Sequence, residues 1–236
     1  MISVIIPVYR DAAALGRTLE TVDFAGVEVI VAATADDLSL APLRLAHPGL
    51  VWIDAPRGRA RQMNAGAAVA RGEWLVFLHA DTRLPSGWPA AIHEASRDSR
   101  VNAGCFRFAL DSRSPFARLI EIGVRARVWL FRLPYGDQAL FIRRELFEAL
   151  GGYADLPIME DVDLVRRARA HGRLFRSRLP AVTSARRWER DGWIGRTLRH
   201  LLLILLYFCG VPPRRLIQLD PSRRAHPLPP GGRMSL

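Results

Sequence analysis

Asp81 follows an apolar run, Trp74-Leu75-Val76-Phe77-Leu78-His79-Ala80, at the point where a parallel strand would end. Open α/β sheets bind ligands in the crevice beyond such carboxyl ends, so an acid placed there is within reach of a substrate. A second acidic group, Glu160-Asp161-Val162-Asp163, opens a later helical pattern. One carboxylate able to hold a metal–phosphate unit and another able to take a proton suit group transfer rather than passive binding. Each also has a plain structural role. Asp81 precedes Thr82 and Pro85 and fits a turn, and acids in the first turn of a helix are stabilised by its dipole.

These residues need elements to position them. Ser3-Val4-Ile5-Ile6-Pro7-Val8 is apolar and continuous, the pattern of a strand covered on both faces. The opening from Met1 to Ile6 is stopped by Pro7 and lacks a basic leader, so it is expected to be a buried strand rather than a targeting segment. Asp11 precedes a helical pattern with Leu15, Leu19 and Val22 on one face. Val27 to Val31 and Leu50 to Ile53 predict strands, with a loop carrying Asp36 and Asp37 between them. A helix starting near Arg59 places Ala60, Met63 and Ala67 on its buried side, and Trp74 to Leu78 is the next strand. This alternation predicts a mostly parallel sheet with right-handed crossovers. Further on, strands are expected at Phe106 to Leu110 and Gln138 to Ile142, and helices at Phe116 to Phe131 and Glu145 to Leu150, the last ended by Gly151-Gly152.

The chain has 236 residues, enough for one large α/β domain with a real core. Its net charge of +11 is carried without a single Lys. Arginine favours planar, bidentate contacts with phosphate or carboxylate, although codon bias would give the same composition. The charge also suits anionic lipid or nucleic acid. Cys105 and Cys209 lie outside any metal or redox spacing and predict free thiols in a reducing, cytoplasmic setting.

Several motifs fall in a telling order: Ser3 to Tyr9, then Gly58-Arg59-Ala60-Arg61-Gln62-Met63-Asn64-Ala65-Gly66, Leu78-His79-Ala80-Asp81-Thr82, Gly151-Gly152-Tyr153, and Glu160-Asp161. In order and approximate spacing the chain resembles family 2 glycosyltransferases of the GT-A, nucleotide-diphospho-sugar transferase-like fold, over roughly residues 1 to 190. The combination also resembles a bacterial subgroup of small family 2 enzymes found beside radical-SAM or selenium-related genes. The resemblance implies a nucleotide-sugar donor, UDP-sugar favoured, and Mn²⁺ or Mg²⁺ as cofactor. Relatives carry an Asp-x-Asp motif where this chain reads His79-Ala80-Asp81, so the first acid is replaced. Asp81 matches the acid that holds the metal, a role suited to an oxygen ligand. His79 is expected at the ribose, with a nitrogen ligand to Mn²⁺ as the alternative. Within the acidic pair, Asp161 is implied as general base and Glu160 as a supporting acid, with the exchanged roles left open, and transfer by direct displacement is implied to invert the anomeric centre.

Pro7, Val8 and Tyr9 match the segment against base and ribose, as Ala80 does beside Asp81. The base-reading acid after the second strand is displaced, leaving Asp36 or Asp37. Arg59 and Arg61, at a helix start, suit base or phosphate, against a solvated face as the structural alternative. Ser184-Ala185-Arg186-Arg187-Trp188 is similar to the Gln-x-x-Arg-Trp motif of processive relatives, with Ser184 for Gln. The resemblance implies Arg187 at the leaving diphosphate and Trp188 stacked on the acceptor, and the lost Gln argues against processive polymerisation. The structural alternative is a packed Trp beside a surface Arg.

Domain expectations are a glycosyltransferase domain over 1–192, a C-terminal apolar or amphipathic helical extension over 193–220, and a disordered tail over 221–236. The apolar core from Leu201 to Val211 would be only about 16 Å long as a helix, against roughly 30 Å of bilayer core. It either closes the core or lies in the membrane interface, a peripheral contact at the inner face of the cell membrane. The acceptor is an unidentified hydroxyl, with lipid-linked acceptors among the candidates. Two other function classes compete. A nucleotidyltransferase would carry a Gly-rich basic loop after the first strand, where this chain has Pro7-Val8-Tyr9-Arg10-Asp11. A basic membrane- or nucleic-acid-binding module explains the charge but not the placed acids, so no nucleic acid partner is expected. A dinucleotide oxidoreductase is disfavoured because no Gly-x-Gly-x-x-Gly follows the first strand.

Overall fold

The structure, a computed structural model, describes residues 1–220, so the tail expected to be disordered lies outside the described residues. Its strands are β1 (Ile2–Pro7), β2 (Glu28–Ala33), β3 (Val51–Asp54), β4 (Trp74–Phe77), β5 (Thr82–Arg83), β6 (Val101–Leu110), β7 (Leu140–Arg143) and β8 (Arg173–Thr183). They form one sheet in the order β3-β2-β1-β4-β7-β6-β8-β5. The helices are α1 (Ala12–Thr21), α2 (Ala41–Ala46), α3 (Arg59–Val69), α4 (Trp88–Ser96), α5 (Pro115–Phe131), α6 (Arg144–Ala149), α7 (Glu160–Ala168), α8 (Arg186–Asp191), α9 (Trp193–Phe208) and α10 (Pro213–Leu216).

The first four long strands are parallel, as the alternation of apolar runs with helical patterns requires. Side chains alternate across the sheet, so Val4, Ile6 and Val76 enter one core layer while Ile5, Leu75 and Phe77 enter the other. β7 then inserts antiparallel between β4 and β6. The change of direction beside β4 leaves a crevice at the carboxyl ends of β1 and β4, where Tyr9 and Asp81 emerge.

Several strand boundaries differ from expectation. β2 runs on to Ala33 rather than stopping at Val31, and β6 begins at Val101 rather than Phe106. Gln138 belongs to a 3₁₀ turn, Gly136–Gln138, and not to β7. Its amide side chain explains this: Oε1 accepts from the Tyr135 backbone and Nε2 donates to the Phe106 carbonyl, which holds a turn instead of a ladder. The helix α4 and the long strand β8 were not anticipated.

α9 has one buried and one exposed face. Leu203 is buried with Cys105, Val128, Val162 and Val165, while Ile194, Leu198, Leu201, Leu202, Leu205 and Phe208 face solvent. Among the described residues no helix is long and apolar enough to cross a membrane. Cys105 is a buried free thiol pushed up to about 12 by burial, and Cys209 is free and exposed.

Candidate active site

Three segments distant in sequence meet at the end of β4. His79, Ala80 and Asp81 continue from the strand, the Gly136–Gln138 turn comes from the approach to β7, and Glu160 and Asp161 form the first turn of α7. The junction requires glycine at position 136. A Cβ there would lie 2.8 Å from His79 Nε2 and 3.3 Å from Asp161 Oδ2. Without that methyl, the Gly136 N–H donates to Asp161 Oδ2 at 2.7 Å, and the Val162 N–H donates to Oδ1 at 2.8 Å.

Arg59, first residue of α3, reaches across to this acidic pair. Its Nε donates to Glu160 Oε1, a terminal nitrogen lies 3.9 Å from Asp161 Oδ2, and the other lies 3.5 Å from His79 Nε2. Burial alone would lower the guanidinium pKa, but the charges of Glu160 and Asp161 outweigh it and push the pKa up. Arg59 is therefore a fixed cation facing the carboxylate pair.

Asp137 completes the ring of acids and was not singled out from sequence. Burial is the main cause that pushes its carboxyl up to about 6, with Asp161 and Asp81 adding and Arg127 and Arg59 opposing. Its Oδ1 is closed off from solvent and makes no hydrogen bond among the described residues.

Asp81 sits opposite, anchored by its own carbonyl, which accepts from the Ser184 N–H at 3.0 Å. Thr82 and Thr183 share a hydroxyl bond of 2.8 Å beside it. Arg186, the first residue of α8, pairs through both terminal nitrogens with Asp11 and reaches Asp81 Oδ2 at 3.4 Å. Asp11 consequently spends its carboxylate on Arg186 and does not cap α1.

The nucleotide segment lies alongside. Gln62 of α3, buried, donates to the carbonyls of Val8 at 2.6 Å and Ala32 at 2.9 Å, tying the ends of β1 and β2 together. Pro7 closes the buried run of β1, and the Tyr9 ring receives the Arg57 guanidinium at 4.4 Å. Asp37 is occupied by the Arg10 N–H and the Ser39 hydroxyl, which leaves the exposed Asp36 as the accessible acid of the two. The Thr34 hydroxyl, with Arg10 and Arg57 nearby, holds the Asp36 carboxyl below its usual range.

Two expected contacts are not brought into this set, and Arg187 gives place to a neighbour. Arg61 forms a bidentate pair with Asp155 at 2.7 and 2.8 Å, clamping α3 to the loop before α7. Trp188 is only 6% exposed, packed against Phe108 and His200 with the Arg196 guanidinium over its ring. Its faces are taken, which removes the surface that acceptor stacking needs. Arg187 is exposed, while adjacent Arg186 turns inward to Asp81, because consecutive helical residues point about 100° apart. The Arg-Arg pair was the only sequence signal for Arg186, and it does not say which member turns in.

Among the described residues no group of three or more His, Cys, Asp or Glu is placed to hold a metal ion. Asp81, with the orphaned oxygen of Asp137 in the same acidic surround, instead fits a divalent ion that arrives with a diphosphate. Such ions take one or two carboxylates plus substrate oxygens rather than an all-protein cage.

Comparisons with known proteins agree with this architecture. S. aureus TarS 1-349 in complex with UDP-GlcNAc has a similar structure at 15% identity, with a TM-score of 0.57 over 78% of this chain and 58% of that one. The same fragment without the sugar nucleotide gives 0.56 over 92% and 68%, at 14% identity. In sequence, the PGL/p-HBAD biosynthesis glycosyltransferases of Mycobacterium bovis BCG and Mycobacterium tuberculosis H37Rv are 30% identical over 171 residues, 65% of this chain. The match spans 63% of the length of those relatives. The model of the family described as glycosyl transferase family 2 matches residues 3–154, which run from β1 through the crevice to the loop before α7, and the chain belongs to that family.

Proposed function

We propose that this protein transfers a sugar from a nucleoside-diphosphate donor, UDP-sugar favoured, to a hydroxyl acceptor with inversion at the anomeric carbon. The observation that carries this is the pairing of Asp81 at the end of β4 with Asp161 across the crevice, each held by backbone or arginine contacts. Pro7, Val8, Tyr9, Ala80 and His79 are assigned to the nucleotide, with Asp36 as the accessible candidate for reading the base. Asp81 would hold Mn²⁺ or Mg²⁺ with the diphosphate, and the ion when bound supplies positive charge to the leaving group.

Asp161 takes the proton from the acceptor hydroxyl as that oxygen bonds to the anomeric carbon. The carbon–oxygen bond to the diphosphate breaks, and the diphosphate leaves with the electron pair. Asp161 retains some exposure, whereas Glu160 is 1% exposed and bound to Arg59, which supports Asp161 as the base and Glu160 as a positioning residue. Arg186 is within reach of the diphosphate position through Asp81. The motif set further supports membership of the radical-SAM- or selenium-associated subgroup, action in the cytoplasm, and a peripheral seat on the inner face of the membrane through the exposed stripe of α9.

Calorimetric titration of UDP, GDP and TDP, with and without Mn²⁺, tests the donor site. Metal-dependent binding of one nucleotide, lost in Asp81→Ala, is expected. Absence of binding for all three under every condition would overturn the assignment.

A further inference from the structure

A groove of about 650 Å³ lies between α5 and the β6–β8 pair, outside the carboxylate crevice. Its cause is a fault in strand pairing. Cys105 of β6 faces Arg176 of β8, but Arg107 faces Pro180, so Ser177, Arg178 and Leu179 arch away opposite Phe106. α5 roofs the opening, and its apolar side chains Ile122, Val128 and Trp129 line it together with Phe108. Ile122 and Trp129 are also among the exposed apolar residues of α5, so the groove opens onto an apolar outer face.

Its charge is one-sided. Arg107, Arg118, Arg125, Arg176 and Arg178 line it against the single carboxylate of Glu121, which already accepts from Arg118 and from the Leu110 N–H. Arg125, Arg176 and Arg178 have no ion-pair partner within 4.0 Å among the described residues. Gln138 forms part of the wall, and its neighbour Asp137 belongs to the acidic ring of the crevice. The groove therefore adjoins the place where an acceptor hydroxyl would meet Asp161.

We infer that this groove binds an anionic, hydroxyl-bearing single-chain lipid, its apolar chain between α5 and β6–β8 and its acidic head group among the arginines. An apolar slot rimmed by unneutralised guanidinium groups is complementary to that chemistry and to neither a neutral sugar nor a free inorganic anion. The inference rests on the transfer reading above and deepens it by naming the class of the acceptor.

The test uses the full chain without donor, titrated with dodecyl phosphate below its micelle concentration while tryptophan fluorescence is followed. Butyl phosphate, inorganic phosphate and dodecyl glucoside serve as comparisons, and UDP binding is measured in parallel. Saturable binding of dodecyl phosphate, at least tenfold tighter than any comparison, is expected. Arg125→Glu with Arg178→Glu should weaken it tenfold or more, and the exposed positions of both arginines leave UDP binding and the melting temperature unchanged. Equal affinity for butyl or inorganic phosphate, unaltered affinity in the double variant, or no binding by protein that still binds UDP would each overturn the inference. Failure to bind UDP alone counts against the donor assignment and leaves a positive dodecyl phosphate result standing as evidence for the groove.

Discussion

Adjacent acids at the start of α7 are given different work by their surroundings. Asp161 has both oxygens oriented by backbone N–H groups and keeps 8% of its surface open, so Asp161→Asn keeps the side-chain size and removes the base, while turning its NH2 against one of those backbone N–H groups. Transfer is expected to fall by about 10² to 10⁴, the usual contribution of a positioned base, with nucleotide affinity unchanged. A single-turnover assay beside UDP titration checks this, and a variant of near wild-type rate would remove Asp161 from the mechanism. Asp137 makes a separate prediction about pH. Its folded pKa is raised to about 6, mainly by burial, from an ordinary value of 3.8. Between about pH 4 and pH 6 the unfolded chain releases this proton while the folded protein keeps it, so stability falls as pH rises through that window and then levels off. Asp137→Asn should remove roughly 1–3 kcal/mol of that fall. Urea unfolding at pH 4 and pH 7 in EDTA measures it, and parallel profiles for both proteins would count against a raised Asp137.

The elements that carry the site are held by close packing of α3 on β1. A Cβ on Gly66 would stand 2.4 Å from Ile5 Cγ2, a contact that neither backbone can relieve without shifting. Gly66→Ala is expected to destabilise by about 1–3 kcal/mol, and Ile5→Ala in the same chain should cost less than the two changes summed. Thermal or urea unfolding of the double-mutant cycle checks this, and strict additivity would mean that the helix adjusts freely. Elements of this kind were legible in the sequence because their burial is uniform along a run: β1 is buried throughout and apolar but for Ser3, β4 is apolar, and α3 shows Ala60, Met63 and Ala67 at helical spacing. β8 was not legible. Its sequence, Arg173 to Thr183, is interrupted by arginines, Ser177 and Pro180, because one side faces solvent and the middle arches away from β6. The site divides the same way. Asp81 and Glu160-Asp161 stand at element ends and could be found from local pattern. Asp137, Gln62 and the inward turn of Arg186 depend on which distant segments meet.

At the scale of the whole molecule, a positive net charge accompanies exposed apolar surface. The chain carries +11 with arginine as its only strongly basic residue. α5 exposes Phe116, Leu119, Ile122, Trp129, Leu130 and Phe131, and α9, packed beside it, exposes its own row. Neither helix spans a bilayer, but an apolar stripe with arginines nearby has the composition of a helix lying in the head-group region. The two faces of α9 let the proposed membrane docking be separated from folding. Leu201 and Leu205 face solvent while Leu203 is 1% exposed in the core. Leu201→Glu with Leu205→Glu should therefore leave the melting temperature and UDP affinity unchanged and release the protein from vesicles of phosphatidylserine and phosphatidylcholine in a sedimentation assay. Leu203→Glu places an unpaired charge inside and should unfold the protein instead. Wild-type binding should weaken as salt rises from 50 to 500 mM, because screening removes the arginine contribution and leaves the apolar one. Retention of the double variant on vesicles would move the docking surface to α5 alone, and absence of wild-type binding at low salt would reject a membrane seat for either helix.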